Sequence, residues 1–263
     1  MNKEIKIQGK NTFYRVYGSG KPVMLVHGFG ETGDVWQNQV EFLKEKFLLI
    51  VPDLPGSGQS DIVGDMSMEG MAGILKLILE KESILKVTFI GHSMGGYVTL
   101  AFAEKYPRIL SAFGLFHSTA YADSEEKKAI RRKGSEFIKE HGAFEFLKTT
   151  TPNLFSANTK EKRPELISQF INSLKDFKPE ALMSYYEAMI QRPDRTVILT
   201  SFKKPILFII GEHDNAVPMQ DVLKQTHLPA NSFIHIMRQS GHMGMLEETE
   251  KSNRVLEEFL SNI

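Results

Sequence analysis

Val87-Thr88-Phe89-Ile90-Gly91-His92-Ser93-Met94-Gly95-Gly96 joins a short, largely apolar run to a glycine-flanked serine, and a helix-like stretch, Tyr97 to Lys105, follows at once. The apolar run suits a strand buried on both faces. A Gly-x-Ser-x-Gly between a strand and a helix predicts a turn so tight that Ser93 is strained; Gly91 and Gly95 stand where side chains would collide with neighbouring backbone. The strain exposes the Ser93 oxygen, and the helix N-terminus behind it favours developing negative charge. A Gly/Ser turn without chemistry is the plainer alternative, and the strand before and the helix after weigh against it.

A serine hydroxyl is a poor nucleophile until a base takes its proton. Of the eight histidines, His242 alone lies in a Gly-flanked loop after the last strand, Ser240-Gly241-His242-Met243-Gly244. His235 falls inside that strand, and His92 is the variable position of the serine turn. The base in turn needs a carboxylate to fix its tautomer. Asp214, in Gly211-Glu212-His213-Asp214, follows a strand end, where sites form in open α/β sheets; a turn or helix-capping aspartate is the plainer reading. An oxyanion would need two backbone N–H groups beside Ser93. Met94, next to the nucleophile, and Phe29, in the loop His27-Gly28-Phe29-Gly30, are the candidates.

Working outward, further short apolar runs recur: Val23 to Val26, Phe47 to Val51, Ala112 to Phe116 and Ile206 to Ile210. Ile5 to Ile7 and Thr12 to Tyr17 read as more exposed strands that enter the sheet first, and Phe233 to Met237 as the last. Helix-like segments between them imply βαβ crossovers and a mostly parallel sheet. The alternation stops between Tyr121 and Thr200, where helical stretches are separated by Gly and Pro, and Asp123 with Glu126 forms a capping-box pattern. The expected organisation is therefore a core of residues 1–120 and 201–263 with a helical insertion at 121–200, far longer than an ordinary connection.

The bulk composition narrows the function classes. In 263 residues the hydrophobic fraction is 41% and the charged fraction 24%, enough for a sizeable core. Lys+Arg 32 balances Asp+Glu 32, so no general attraction to nucleic acid or anionic membranes is expected. Cysteine is absent, which excludes disulfides and thiolate chemistry. With no signal-like or membrane-length apolar run, a soluble, cytoplasmic protein is expected. No spacing suggests a metal site.

Two other patterns compete for attention. Gly28-x-Gly30-x-x-Gly33, with Asp53 twenty residues beyond, is formally a dinucleotide-binding fingerprint. Glu31 and Asp34 would put carboxylates where a pyrophosphate must sit, and Trp36 is too bulky for close helix–sheet packing, so this reading is set aside. Lys127, Lys128, Arg131, Arg132 and Lys133 cluster on the first inserted helix. They could dock an acidic carrier protein; a solvated helix face is the reading taken.

His27-Gly28-Phe29-Gly30, Asp53-Leu54-Pro55-Gly56-Ser57-Gly58-Gln59-Ser60, the serine turn, Gly211-Glu212-His213-Asp214 and Ser240-Gly241-His242 together resemble the α/β-hydrolase fold family, in its esterase-like branch with a helical cap. The order Ser, Asp, His is that of the family, and the resemblance runs the length of the chain. It implies an α/β architecture with a mostly parallel eight-stranded sheet flanked by helices, residues 121–200 forming a cap over the site, and no cofactor. It also implies a serine hydrolase of the carboxylesterase kind, with Ser93, Asp214 and His242 as triad. The substrates expected are small to medium acyl esters, cleaved through an acyl-enzyme. Lactonases, carbon–carbon bond hydrolases and cofactor-free perhydrolases of the family use the same triad. A small-ligand receptor with slow turnover is the alternative from another class. Relatives that open epoxides or carbon–halogen bonds use an aspartate nucleophile, which Ser93 argues against.

Overall fold

The computed structural model covers residues 1–263, and each apolar run lies in a strand of one sheet. The strands are β1 (Asn2–Ile7), β2 (Lys10–Tyr17), β3 (Lys21–Val26), β4 (Phe47–Pro52), β5 (Val87–His92), β6 (Leu110–Phe116), β7 (Ile206–Gly211) and β8 (Ser232–Met237). They are ordered β1-β2-β4-β3-β5-β6-β7-β8. β1 and β2 pair antiparallel, as do β2 and β4; every other pair is parallel. Burial follows the sequence pattern. Strands β5 and β7 are buried along their whole length, whereas β1, with charges between its apolar residues, alternates between exposed and half-buried at the edge.

Helices α1 (Gln37–Leu43), α2 (Met68–Lys81) and α3 (Met94–Lys105) connect the strands of the first half. The interval between β6 and β7 holds α4 (Glu125–His141), α5 (Ala143–Thr150), α6 (Ala157–Lys162), α7 (Pro164–Ser173), α8 (Pro179–Gln191) and α9 (Thr196–Ser201). After β7 come α10 (Met219–Leu223), α11 (Gly244–Glu247) and α12 (Thr249–Ser261). The period of two along each strand sorts its side chains into two cores. Met24, Phe89, Phe113 and Phe208 pack with Leu75 of α2 and Phe102 of α3. Leu25, Phe116, Leu207 and Ile209 pack with Val40 and Leu43 of α1 and Leu256 and Phe259 of α12. No helix is long and apolar enough to cross a membrane.

One expected cap moves by a residue. Ser124, not Asp123, caps α4, its hydroxyl accepting the Lys127 N–H. The Asp123 carboxylate is engaged elsewhere, by Arg131 and Arg192, and a carboxylate facing two guanidiniums gains more than one facing a single N–H.

Candidate active site

The turn after β5 takes the strained form its glycines foretell. Ser93 has φ 50° and ψ −116°, a left-handed conformation that costs a non-glycine residue about 1–3 kcal/mol. A Cβ on Gly91 would lie 2.4 Å from the Gly95 carbonyl oxygen, and one on Gly95 would lie 2.4 Å from that of Val26. The backbone of Ser93 is tied down on both sides: its N–H donates to Phe116 O (3.0 Å), and its C=O accepts from the Ser118 hydroxyl (2.7 Å). The Ser93 side chain lines a cavity together with His242. The structure places no hydrogen bond between their side chains; such contacts commonly close only when substrate is bound.

The loops after β7 and β8 bring Asp214 and His242 together from 28 residues apart. His242 Nδ1 and Asp214 Oδ2 are 2.7 Å apart, and both side chains are almost fully buried. The other Asp214 oxygen accepts the Ala216 and Val217 N–H groups, both at 2.8 Å. Asp214 is thus a turn aspartate and a histidine partner at once, one oxygen for each. Burial pushes its carboxyl up, but the histidines His242 and His117 outweigh this and hold it far below the ordinary carboxylate range. With Nδ1 committed to Asp214, Nε2 of His242 is the nitrogen left for proton transfer.

His117 was not singled out by its sequence context, although it follows β6 at the strand-end position where site residues gather. It sits at φ 48°, fully buried, with Nδ1 3.5 Å from Asp214 Oδ2 and neither ring nitrogen in a directed hydrogen bond. Burial pushes its pKa down despite the neighbouring carboxylate.

The loop after β3 is held against the nucleophile. A Cβ on Gly28 would come within 3.1 Å of Ser93 Cβ. His27 accepts the Leu54 N–H at Nε2 (2.9 Å), which leaves Nδ1–H to donate to Gly28 O (2.9 Å). The Phe29 N–H makes no hydrogen bond within the protein, and the N–H of Met94, first residue of α3, has no intrahelical partner.

Glu31, read above only as an obstacle to pyrophosphate, is buried in this loop and accepts the Gly28 N–H (2.6 Å). Its Oε2 also faces His92 Nδ1 at 3.0 Å, while His92 Nε2 faces the His242 carbonyl oxygen at 2.9 Å. A carbonyl oxygen and an ionised carboxylate only accept, so with Glu31 ionised both ring nitrogens donate and His92 carries the charge. Burial opposes both charges, yet the contact keeps the His92 pKa above its ordinary value and that of Glu31 below. His92 and Glu31 thereby connect the serine turn, the Gly28 loop and the His242 loop.

A pH signature follows from these directions. The Glu31 contribution to stability is complete above about pH 4.3 and disappears as pH falls through the depressed folded value. The His92 contribution is complete below about pH 6.5 and disappears as pH rises through the raised folded value. Glu31→Gln is expected to lower the unfolding free energy by about 3–5 kcal/mol near pH 6, as breaking a buried pair does. The gap to the native protein should narrow towards alkaline pH. Urea titrations across that range check this, and a pH-independent gap would mean that His92 is not charged.

The cavity has a volume of about 180 Å³. Phe29, Gly30, Glu31, Ser93 and Tyr97 contribute from the core side, and Arg131, Leu147, Thr150, Thr151, Leu154, Phe170, Tyr186 and Met189 from the inserted segment. Among the apolar residues of the insertion, Leu147, Leu154, Phe170 and Met189 reach the cavity. Phe146, Phe155, Leu182 and Tyr185 pack in the interior, Tyr185 donating its hydroxyl to Pro55 O (2.6 Å). Asp53, the would-be ribose acid, is fully buried and engaged by Arg15 (2.9 Å) and the Gly33 N–H (2.8 Å). The fingerprint glycines thus serve the Gly28 loop and its Asp53 anchor.

The comparisons with known proteins agree with this architecture. Residues 21–132 match the family model described as alpha/beta hydrolase fold. The solved structure of a thermophilic esterase from Thermogutta terrifontis superposes with a TM-score of 0.93 at 30% identity, covering 100% of this chain and 98% of that one. The 3-oxoadipate enol-lactonase 1 of Acinetobacter baylyi is 25% identical over 259 residues, 97% of this chain and 95% of the enzyme. An uncharacterised Mycobacterium tuberculosis protein is 35% identical over 105 residues, but the matched stretch spans only 31% of that protein. A family model over residues 21–132, a 30%-identical esterase matched end to end and the β1-β2-β4-β3-β5-β6-β7-β8 sheet together place this chain in the α/β-hydrolase fold family.

Proposed function

We propose that the protein is a serine carboxylic-ester hydrolase acting on small to medium acyl esters. The observation that carries the reading is the convergence of a strained, cavity-facing Ser93 with the buried His242–Asp214 pair. Ser93 Oγ attacks the ester carbonyl while His242 Nε2 takes its proton. Asp214 holds Nδ1–H and stabilises the imidazolium. The oxyanion accepts the Phe29 and Met94 N–H groups. His242 then protonates the departing alcohol, and the same residue activates water to release the acid from the acyl-enzyme. The enol-lactonase relative favours lactones as a second substrate type, since a lactone is an internal ester open to the same steps. A cytoplasmic location accords with the absence of cysteine.

In this reading residues 121–200 act as a lid, and the small cavity beneath it selects short acyl chains. On p-nitrophenyl esters below their aggregation limit, kcat/KM is expected to be highest for acyl chains of about two to six carbons, as suits a small enclosed pocket. It should fall steeply for long chains. A faster reaction on an emulsified triglyceride, with a jump in rate as aggregates form, would overturn the lid reading. In that event the exposed Ile130 and Phe137 of α4 would be the first candidates for an interfacial contact.

A further inference from the structure

The five clustered basic residues of α4, between Lys127 and Lys133, are not one surface patch. Lys128 pairs with Glu125 (2.8 Å), Lys127 donates to Ala216 O (3.2 Å), and Arg132 and Lys133 are exposed. Arg131 turns inward and lines the cavity of Ser93 and His242. Its Nε and Nη2 face Asp123 at 2.5 and 3.3 Å, whereas Nη1 makes no hydrogen bond in the protein. Asp123 is shared: Arg192, itself buried and seated 3.7 Å over the Tyr97 ring, takes its Oδ1 at 3.0 Å. One carboxylate therefore serves two guanidiniums, so the group of Asp123, Arg131 and Arg192 carries a net positive charge, of which Arg131 is the member that reaches the cavity. The other carboxylate of the lining, Glu31, is engaged by His92 and the Gly28 N–H.

The guanidinium is also held in place. It lies 5.5 Å from the Tyr186 ring centre, and Tyr186 stacks on Phe29 at 4.4 Å with 9° between the planes. A cation kept partly desolvated is unfavourable unless an anion meets it, and a fixed guanidinium edge with free N–H groups fits a carboxylate. We propose that Arg131 is a specificity-determining residue that binds a free carboxylate on the substrate, so that the favoured esters carry one carboxylate besides the scissile ester group. This rests on the reading of the cavity as the ester-hydrolysing site. One guanidinium surplus matches a monoanion.

Two pairs of esters test it. Mono-p-nitrophenyl glutarate against p-nitrophenyl pentanoate places the charge on the acyl side. 4-Carboxyphenyl butyrate against phenyl butyrate places it on the alcohol side. In at least one pair Arg131→Gln is expected to lower the ratio of kcat/KM for charged over neutral ester tenfold or more, mostly through KM, with Arg131→Lys restoring part of it. Asp123 keeps Arg192 in both variants, so no buried charge is orphaned. A ratio unchanged within twofold in both pairs overturns the inference even if both esters are hydrolysed, and leaves the hydrolase reading intact. If no ester is hydrolysed the hydrolase reading fails, and calorimetric titration of monomethyl glutarate, a monoanion, into Ser93→Ala decides instead. Binding weakened tenfold by adding Arg131→Gln upholds the carboxylate site; equal binding, or none, rejects it.

Discussion

Ser93→Ala is expected to lower kcat on p-nitrophenyl butyrate by roughly 10⁵- to 10⁶-fold, or about 7–8 kcal/mol of transition-state stabilisation. In the proposed mechanism the size of the loss reflects a group that acts as part of a unit: without the hydroxyl, His242 would have no proton to take and no acyl-enzyme would form. Stability should scarcely change. The Ser93 hydroxyl makes no hydrogen bond to the fold, and the anchoring bonds of this residue, to Phe116 O and from Ser118, belong to its backbone. A fluorophosphonate probe should label Ser93 in the native protein and nothing in the variant. Labelling that persists undiminished in Ser93→Ala would place the nucleophile elsewhere.

Asp214→Asn should come next in size, with kcat falling by about 10⁴-fold while the protein still folds. The asparagine oxygen can keep the two N–H groups of Ala216 and Val217 that Oδ1 accepts now. Its amide would then face His242 Nδ1 as a donor, which forces the imidazole proton onto Nε2 and leaves that nitrogen unable to take a proton from Ser93. A rescue by another carboxylate is not expected, because Asp214 is the acid in ion-pair contact with His242. The adjacent His117 is an imidazole and cannot supply a negative charge. Steady-state kinetics with circular dichroism on the variant check both halves of the expectation. Near-native turnover would mean that a different group orients His242.

The strands and the serine turn could be read from the chain because their signals are local. A strand buried on both faces must be apolar residue after residue, as in Ile206 to Ile210, and a turn as tight as that at Ser93 tolerates only glycine at Gly91 and Gly95. Asp214 and His242, each marked by the strand it follows, were expected as partners and lie 2.7 Å apart. What the local signals left open was decided by packing between distant segments. Arg131 and Arg132 are indistinguishable as neighbours on one helix, yet the first turns inward because Asp123 and Tyr186 meet it there. Glu31 and His92, 61 residues apart, become an ion pair only when the Gly28 loop folds against the serine turn, and His92 reaches His242 O across 150 residues. Periodicity records which face of its own element a side chain occupies. The partner that waits on that face, and hence whether a charge is solvated, buried or aimed into a cavity, is set by the tertiary structure, because desolvation and ion pairing depend on what all the neighbouring elements bring together.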